Sequence, residues 1–378
     1  MNELIFTNAQ IVLRDEVTHG TVLVRGTAIV DVSRGRSNAP GALDLAGDYL
    51  MPGVVDVHTD NLERQVQPRS NARWPSRSAM VSHDAQCAAA GVTTVLDALC
   101  LGDLGWDRER IKTFQDGVAD LDALADTGVL KCDHYLHLRC EVPAVDVVEL
   151  VDPVADHARV RMVSLMDHSP GGGQYANLDR YRALRRKDGM APHNIEERIQ
   201  QLLEQRARLR DPNRRALLDR VRGLAVTLAS HDDRTAEEIA ENLGDGITVS
   251  EFPVTLEAAQ SARSGGMEVI AGAPNIVRGG SHSGNVNAAE LLGGGLIDAY
   301  ASDYVPASLV EAAFQSTRLA GISLPDAIAM VSERPARIAR LPDRGRIAAG
   351  QRADLVRVTV LDELPIVRQV WRAGERVA

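Results

Sequence analysis

Eight short apolar runs, each followed by a longer stretch of helical character, constrain this chain of 378 residues more than any other feature. They lie near Val54 to His58, Thr93 to Ala98, Tyr135 to Arg139, Arg161 to Met166, Ala225 to Ala229, Thr248 to Phe252, Glu268 to Ala271 and Ile297 to Ser302. β-rich runs alternating with helical patterns are the signature of βα units around a parallel sheet. Eight such strands close a barrel, so the expected class is α/β, a (β/α)8 TIM barrel.

The flanks read differently. Residues 1–49 alternate in strand fashion, as in Leu4-Ile5-Phe6, Ile11-Val12-Leu13 and Thr21-Val22-Leu23-Val24, and so do Gly345-Arg346-Ile347, Ala353 to Val358 and Val367 to Trp371. Neither end has enough strands to be stable alone. The expected division is therefore a small β-sandwich built from 1–49 and 345–378, and a barrel over 50–344. The polar stretch 174–222, rich in Arg and Glu, reads as inserted helices including Ile195 to Leu209, serving either as a lid or as a solvated excursion.

Bulk properties narrow the partners. Charged residues make up 25% and the formal net charge is −10, so nucleic acid and anionic membrane are not expected, and any anion site must be local. Cys87, Cys100, Cys132 and Cys140 are widely spaced and form no C-x-x-C pair, which points to a reducing cytoplasm. Met1-Asn2-Glu3-Leu4 lacks a basic and apolar leader pattern, and no run of roughly 18 apolar residues occurs, so neither export nor membrane insertion is expected.

Chemistry-bearing residues stand where the apolar strands stop, the face on which barrel enzymes keep their catalytic groups. The first strand ends in His58-Thr59-Asp60, the third in Arg139-Cys140-Glu141, the fourth in Asp167-His168, the fifth in His231-Asp232-Asp233 and the eighth in Ser302-Asp303. Side chains two apart on an extended segment point the same way, so His58 and Asp60 can share one cation. Any single strand-end histidine is more often an ordinary core or surface residue. Together, His58, Asp60, Glu141, His168, His231 and Asp303 form an imidazole and carboxylate set suited to zinc, manganese or iron. His83 reads as a helix-start residue, whereas His134 and His137 on the third strand suit core packing as well as function. After the seventh strand, Arg278, Gly279, Gly280, Ser281 and His282 combine a cation, exposed backbone N–H groups and an imidazole, which suits a phosphate or carboxylate. Arg64, Arg69, Arg73 and Arg77 follow the first strand, as an anion-binding group or a plain surface stripe.

Met51-Pro52-Gly53-Val54-Val55-Asp56-Val57-His58, Gly91-Val92-Thr93-Thr94-Val95 and Gly345 through Val356 resemble landmarks of the amidohydrolase superfamily across the whole chain. His-x-Asp stands where that superfamily usually has His-x-His, and no lysine occupies a strand end, which leaves Glu141 as the substitute for a bridging carbamylated lysine. Longer blocks, among them His58 to Glu63, Ser82-His83-Asp84, His137 to Glu141, Ser164 to Gly171, Ala229 to Asp233, Gly272 to Asn285 and Ser302-Asp303-Tyr304, are similar to the PhnM family, diphosphatases of the carbon-phosphorus lyase pathway. That resemblance implies hydrolysis of α-D-ribose 1-methylphosphonate 5-triphosphate to the 5-phosphate and pyrophosphate. The expected partner is thus a phosphorylated sugar, and the protein a possible homodimer with two divalent ions, zinc foremost. Asp303 is expected to act as general base, His282 at the leaving group, and Arg278, Gly279, Gly280, Ser281, Arg139 and Arg64 to hold phosphates. The alternatives are an amidohydrolase or deaminase acting on an amide, lactam or ring amidine, and a catalytically dead barrel used as a binding module.

Overall fold

The protein is described by a computed structural model covering residues 3–69, 72–105, 108–280 and 285–378. Eight parallel strands, Val54–Thr59, Val92–Leu101, Asp133–Glu141, Val160–Met166, Thr227–His231, Val249–Glu251, Glu268–Gly272 and Ala299–Ala301, follow one another in sequential order in one sheet. The last returns to the first: Thr59 bridges Asp303 in parallel, and Asp303 N–H donates to the His58 carbonyl at 3.0 Å. The expected barrel is present, strand for strand. The fifth strand starts two residues later than its apolar run suggests, because Ala225 and Val226 belong to the approach and His231 is still paired, with Glu251.

The barrel is filled, not hollow. Val55, Val57, Leu96, Met162, Ala229, Val249, Ile270, Ala299 and Ala301 point to its axis and form one buried cluster, while Leu99, Leu101, Leu136, Leu138, Val163 and Leu165 face the surrounding helices. This two-sided burial explains why the strands read as continuous apolar runs instead of alternating ones.

Strands from both ends of the chain share a second, mixed sheet. Tyr49–Pro52 joins them, pairing in parallel with Glu3–Val12 and antiparallel with Leu355–Leu361. Phe6 meets Trp371 edge-on at 4.7 Å in a common apolar cluster. Gly345-Arg346-Ile347, expected to be extended, is not a strand, and the chain bends at Gly345 and Arg346. Gly345 sits at φ +91°, where a Cβ would come within 2.8 Å of the Glu333 backbone, and the bend still delivers Ile347 to the buried cluster. Asp133, opening the third barrel strand, binds the C-terminal segment through Arg344 at 2.8 Å, Arg372 at 3.4 Å and Arg352.

The inserted segment forms the helices Leu178–Lys187 and Pro192–Val221. The longer one lies across the loops that leave the strands: Gln205 donates to the Pro143 carbonyl at 2.8 Å, Asn213 to those of Val142 and Ala144, and Arg206 to Asp167 at 2.5 Å. Such contacts make it a brace for those loops, not a solvated excursion.

Candidate active site

Inward-facing positions alternate along each strand, and past the last apolar residue the same parity delivers a polar one. On the third strand His137, Arg139 and Glu141 face inward, whereas Leu136, Leu138 and Cys140 pack outward. Met166 and His168 continue the parity of Met162 on the fourth strand, His231 that of Ala229, Glu251 that of Val249, and Asp303 that of Ala301. Just beyond the fifth, sixth and eighth strands, Asp232, Phe252 and Asp303 adopt φ of +58°, +56° and +55°. Left-handed backbone at non-glycine residues is strained, and three of the nine such residues among those described stand at the mouth of the barrel.

There a cavity of about 510 Å³ opens, lined by His58, Asp60, Glu141, His168, His231 and Asp303 among others. The six strand-end residues singled out from the sequence therefore meet in one place. Three atoms from each of two triplets lie within 4.8 Å of one another: His58, Asp60 and Asp303 in one, His168, His231 and Asp232 in the other. His58 Nε2 stands 3.4 Å from Asp60 Oδ1, and His168 Nε2 stands 3.6 Å from Asp232 Oδ2. His168 Nε2 and Asp232 Oδ2 are buried with no hydrogen-bond partner. Buried polar atoms left in this state are rare and call for an ion or a water. Ligands held about 2.0–2.2 Å from a cation are separated by roughly these distances, so the residues fit a divalent ion.

The electrostatics agree. Burial opposes charge on His58, but Glu251 and Asp60 outweigh it and push its pKa up to about 10. His168 is likewise driven up to about 9, burial being overcome by Glu141 and Asp232. Burial, then the neighbouring Asp60 carboxylate, pushes Asp303 up to about 7. Concentrated charge of this kind marks functional clefts.

Glu141 accepts from His168 twice, at Oε1 from the backbone N–H (2.8 Å) and at Oε2 from Nδ1 (2.7 Å). Arg139 donates to Asp60 at 2.7 Å, and its buried Nε has no partner. Arg110, 3.3 Å from Glu63, and Arg185, lying over the Tyr175 and Tyr181 rings, add two more guanidinium groups to the cavity lining.

Other expected anion-binding residues lie elsewhere. Among the described residues Arg64 and Arg278 are not in the cavity lining; Arg64 donates to the Tyr304 carbonyl at 2.7 Å and Arg278 reaches the hydroxyl of Tyr304, which does line it, at 3.5 Å. Gly279 and Gly280 are likewise outside the lining, and Ser281 and His282 fall outside the described residues. Arg73 is taken by Glu109 and Asp116, and Arg77 by Asp120, which are outer ion pairs. His83 sits in the middle of the Ser76–Ala89 helix, not at its start, and joins Asp97 at 2.7 Å in a buried network outside the barrel.

Two acids were missed: Asp232 and Glu251. Asp232 hides in His231-Asp232-Asp233, where only the left-handed turn decides which carboxylate turns inward. Glu251 carried a legible signal, Val249-x-Glu251 at inward parity, obscured by reading the strand on through Phe252.

Comparison with known proteins decides the family. The chain is 41% identical, over 99% of its length and 100% of the relative's, to α-D-ribose 1-methylphosphonate 5-triphosphate diphosphatase of Escherichia coli (strain K12). The chain belongs to that diphosphatase family. Residues 264–378 also match the amidohydrolase family. Members of the diphosphatase family are hydrolases, and so is this protein. Solved structures share the fold at low identity: a Xaa-Pro dipeptidase with bound methionine (TM-score 0.67, 14% identity, 99% of each chain) and dihydropyrimidinase from Brevibacillus agri (TM-score 0.66, 15% identity, 99% of this chain and 95% of that one).

Proposed function

We propose that this protein hydrolyses α-D-ribose 1-methylphosphonate 5-triphosphate to the 5-phosphate and pyrophosphate, as the name of its Escherichia coli relative describes. The observation that carries this reading is the meeting of two imidazole and carboxylate triplets with the guanidinium groups of Arg139, Arg110 and Arg185 in one cavity. An amide or lactam substrate gives no reason for three arginines; a triphosphate does.

His58, Asp60 and Asp303 would hold one divalent ion, and His168, His231 and Asp232 a second, with Glu141 fixing His168. Zinc suits a set of three imidazoles and three carboxylates, with manganese or iron as alternatives. When bound, such ions polarise phosphoryl oxygens and supply a nucleophile at neutral pH. Arg139, Arg110 and Arg185 bind the phosphate oxygens and offset the charge that grows on them. Asp303 accepts the proton of the attacking water as a new oxygen–phosphorus bond forms and the bond between the α and β phosphates breaks, releasing pyrophosphate. No described helix is long and apolar enough to cross a membrane, and four buried free thiols suit the reducing cytoplasm in which we place the reaction.

The test is turnover of the ribosyl methylphosphonate triphosphate in isotopically labelled water, followed by phosphorus NMR. Pyrophosphate with label in one product is expected. Absence of pyrophosphate, together with ammonia or carboxylate release from amide substrates, would overturn the reading.

A further inference from the structure

Glu251 ends the sixth barrel strand and is fully buried, 0% exposed, beneath the cavity and not in its lining. Its Oε1 lies 2.7 Å from His58 Nδ1 and its Oε2 lies 2.8 Å from His231 Nδ1. The two imidazoles stand 5.8 Å apart with planes only 19° from parallel, and the Phe252 ring closes edge-on against both, at 5.0 Å and 5.4 Å. A carboxylate has only acceptor oxygens when ionised, so each Nδ1 must be the donor. The facing Nε2 atoms are thereby turned toward the cavity, where both histidines contribute to the lining.

We infer that Glu251 is a positioning residue that orients one histidine of each cation site at once, fixing His58 and His231 with Nδ1–H on the carboxylate and Nε2 toward the ion. The inference rests on the reading of those histidines as cation ligands. Ligand atoms of His58, His231 and Glu251 also lie within 4.8 Å of one another, but both Glu251 oxygens are engaged at hydrogen-bond distance and Glu251 has no surface on the cavity, which suits an orienting group and not a ligand. Orientation of a ligating imidazole by a carboxylate on its other nitrogen is a general device, worth about 10–100-fold in metal affinity. The uncommon element is sharing. One carboxyl group serves both triplets, so the sites are tied through it, and a change at this single buried side chain reaches ions on both sides of the cavity.

Glu251→Gln keeps the shape but offers one accepting oxygen and one NH₂ group. The amide can accept from one imidazole only, and the other must turn its lone pair inward and present Nε2–H to the cavity. The experiment uses the full chain, stripped of metal and titrated with zinc by calorimetry, with imidazole nitrogen NMR of the zinc-saturated protein and no substrate present. In the unaltered protein, two strongly downfield Nδ1–H signals are expected; their absence overturns the inference whether or not the variant folds. In Glu251→Gln, at least one of these signals is lost and zinc affinity falls about 10–100-fold at one site or both. Unchanged affinity at both sites overturns the proposal. So does outright loss of one ion with both Nδ1–H signals in place, since that outcome makes Glu251 a ligand. Because no step involves turnover, a failed substrate assignment leaves this result standing, and the reverse holds as well.

Discussion

Arg139 donates from Nη1 to Asp60 Oδ1 at 2.7 Å, both in the lining of the cavity, although the two residues lie 79 positions apart. The pair places a guanidinium beside the triplet of His58, Asp60 and Asp303. In the proposed function its guanidinium has two tasks, holding the carboxylate in position and presenting its remaining N–H groups to a phosphate.

Arg139→Gln is expected to lower kcat/KM for the triphosphate by about 100-fold, the scale seen when one donor to a developing oxyanion is removed. Lysine does not substitute, because a point charge cannot serve Asp60 and a phosphate in the same planar fork. Steady-state kinetics of Arg139→Gln and Arg139→Lys check this; full activity in the lysine variant refutes the two-task reading.

Asp303→Asn removes the proposed proton acceptor and one carboxylate of the first triplet. Turnover is expected to fall by at least about 100-fold, the lower end of general-base contributions. Measuring activity and bound metal together separates the two roles. Loss of rate with both ions retained assigns the base; an undiminished rate with normal metal content discards it.

Outside the barrel, His134 bridges two acids, with Nδ1 2.9 Å from Asp97 and Nε2 3.2 Å from Asp84. Burial opposes its charge, but Asp97 and Asp84 prevail and push the pKa up to about 10. A folded-state pKa raised above the unfolded value near 6.5 means that the stabilisation is complete below about pH 6.5 and is lost as pH rises through about 10. Scanning calorimetry should show Tm of the unaltered protein falling across that alkaline window more steeply than Tm of His134→Gln. Parallel curves would remove His134 as the source.

Asp133 anchors the terminal sheet to the third strand through Arg344, Arg352 and Arg372. Burial would raise its pKa, yet Arg352 and Arg344 hold it below the ordinary carboxylate range, so it is charged at neutral pH. Asp133→Ala leaves three guanidinium groups without their shared partner and is expected to cost about 1–3 kcal/mol, less than for a fully buried pair because Asp133 is about a quarter exposed. Urea unfolding measures it; a change under about 1 kcal/mol would mean that the apolar seam alone joins sheet and barrel.

Local pattern alone determined the barrel strands, the meeting of the two termini in a second sheet, and six of the polar residues that converge, because hydrophobic periodicity and strand-end position are properties of neighbouring residues. Tertiary structure alone decided that Asp232 turns inward, that Glu251 reaches both His58 and His231, that Gly345 makes a bend, and that Arg110 and Arg185 line the cavity in place of Arg64 and Arg278. Those outcomes depend on left-handed turns, on backbone approach and on a helical brace from a distant insertion. Contacts between residues far apart in the chain leave no periodic trace in its sequence.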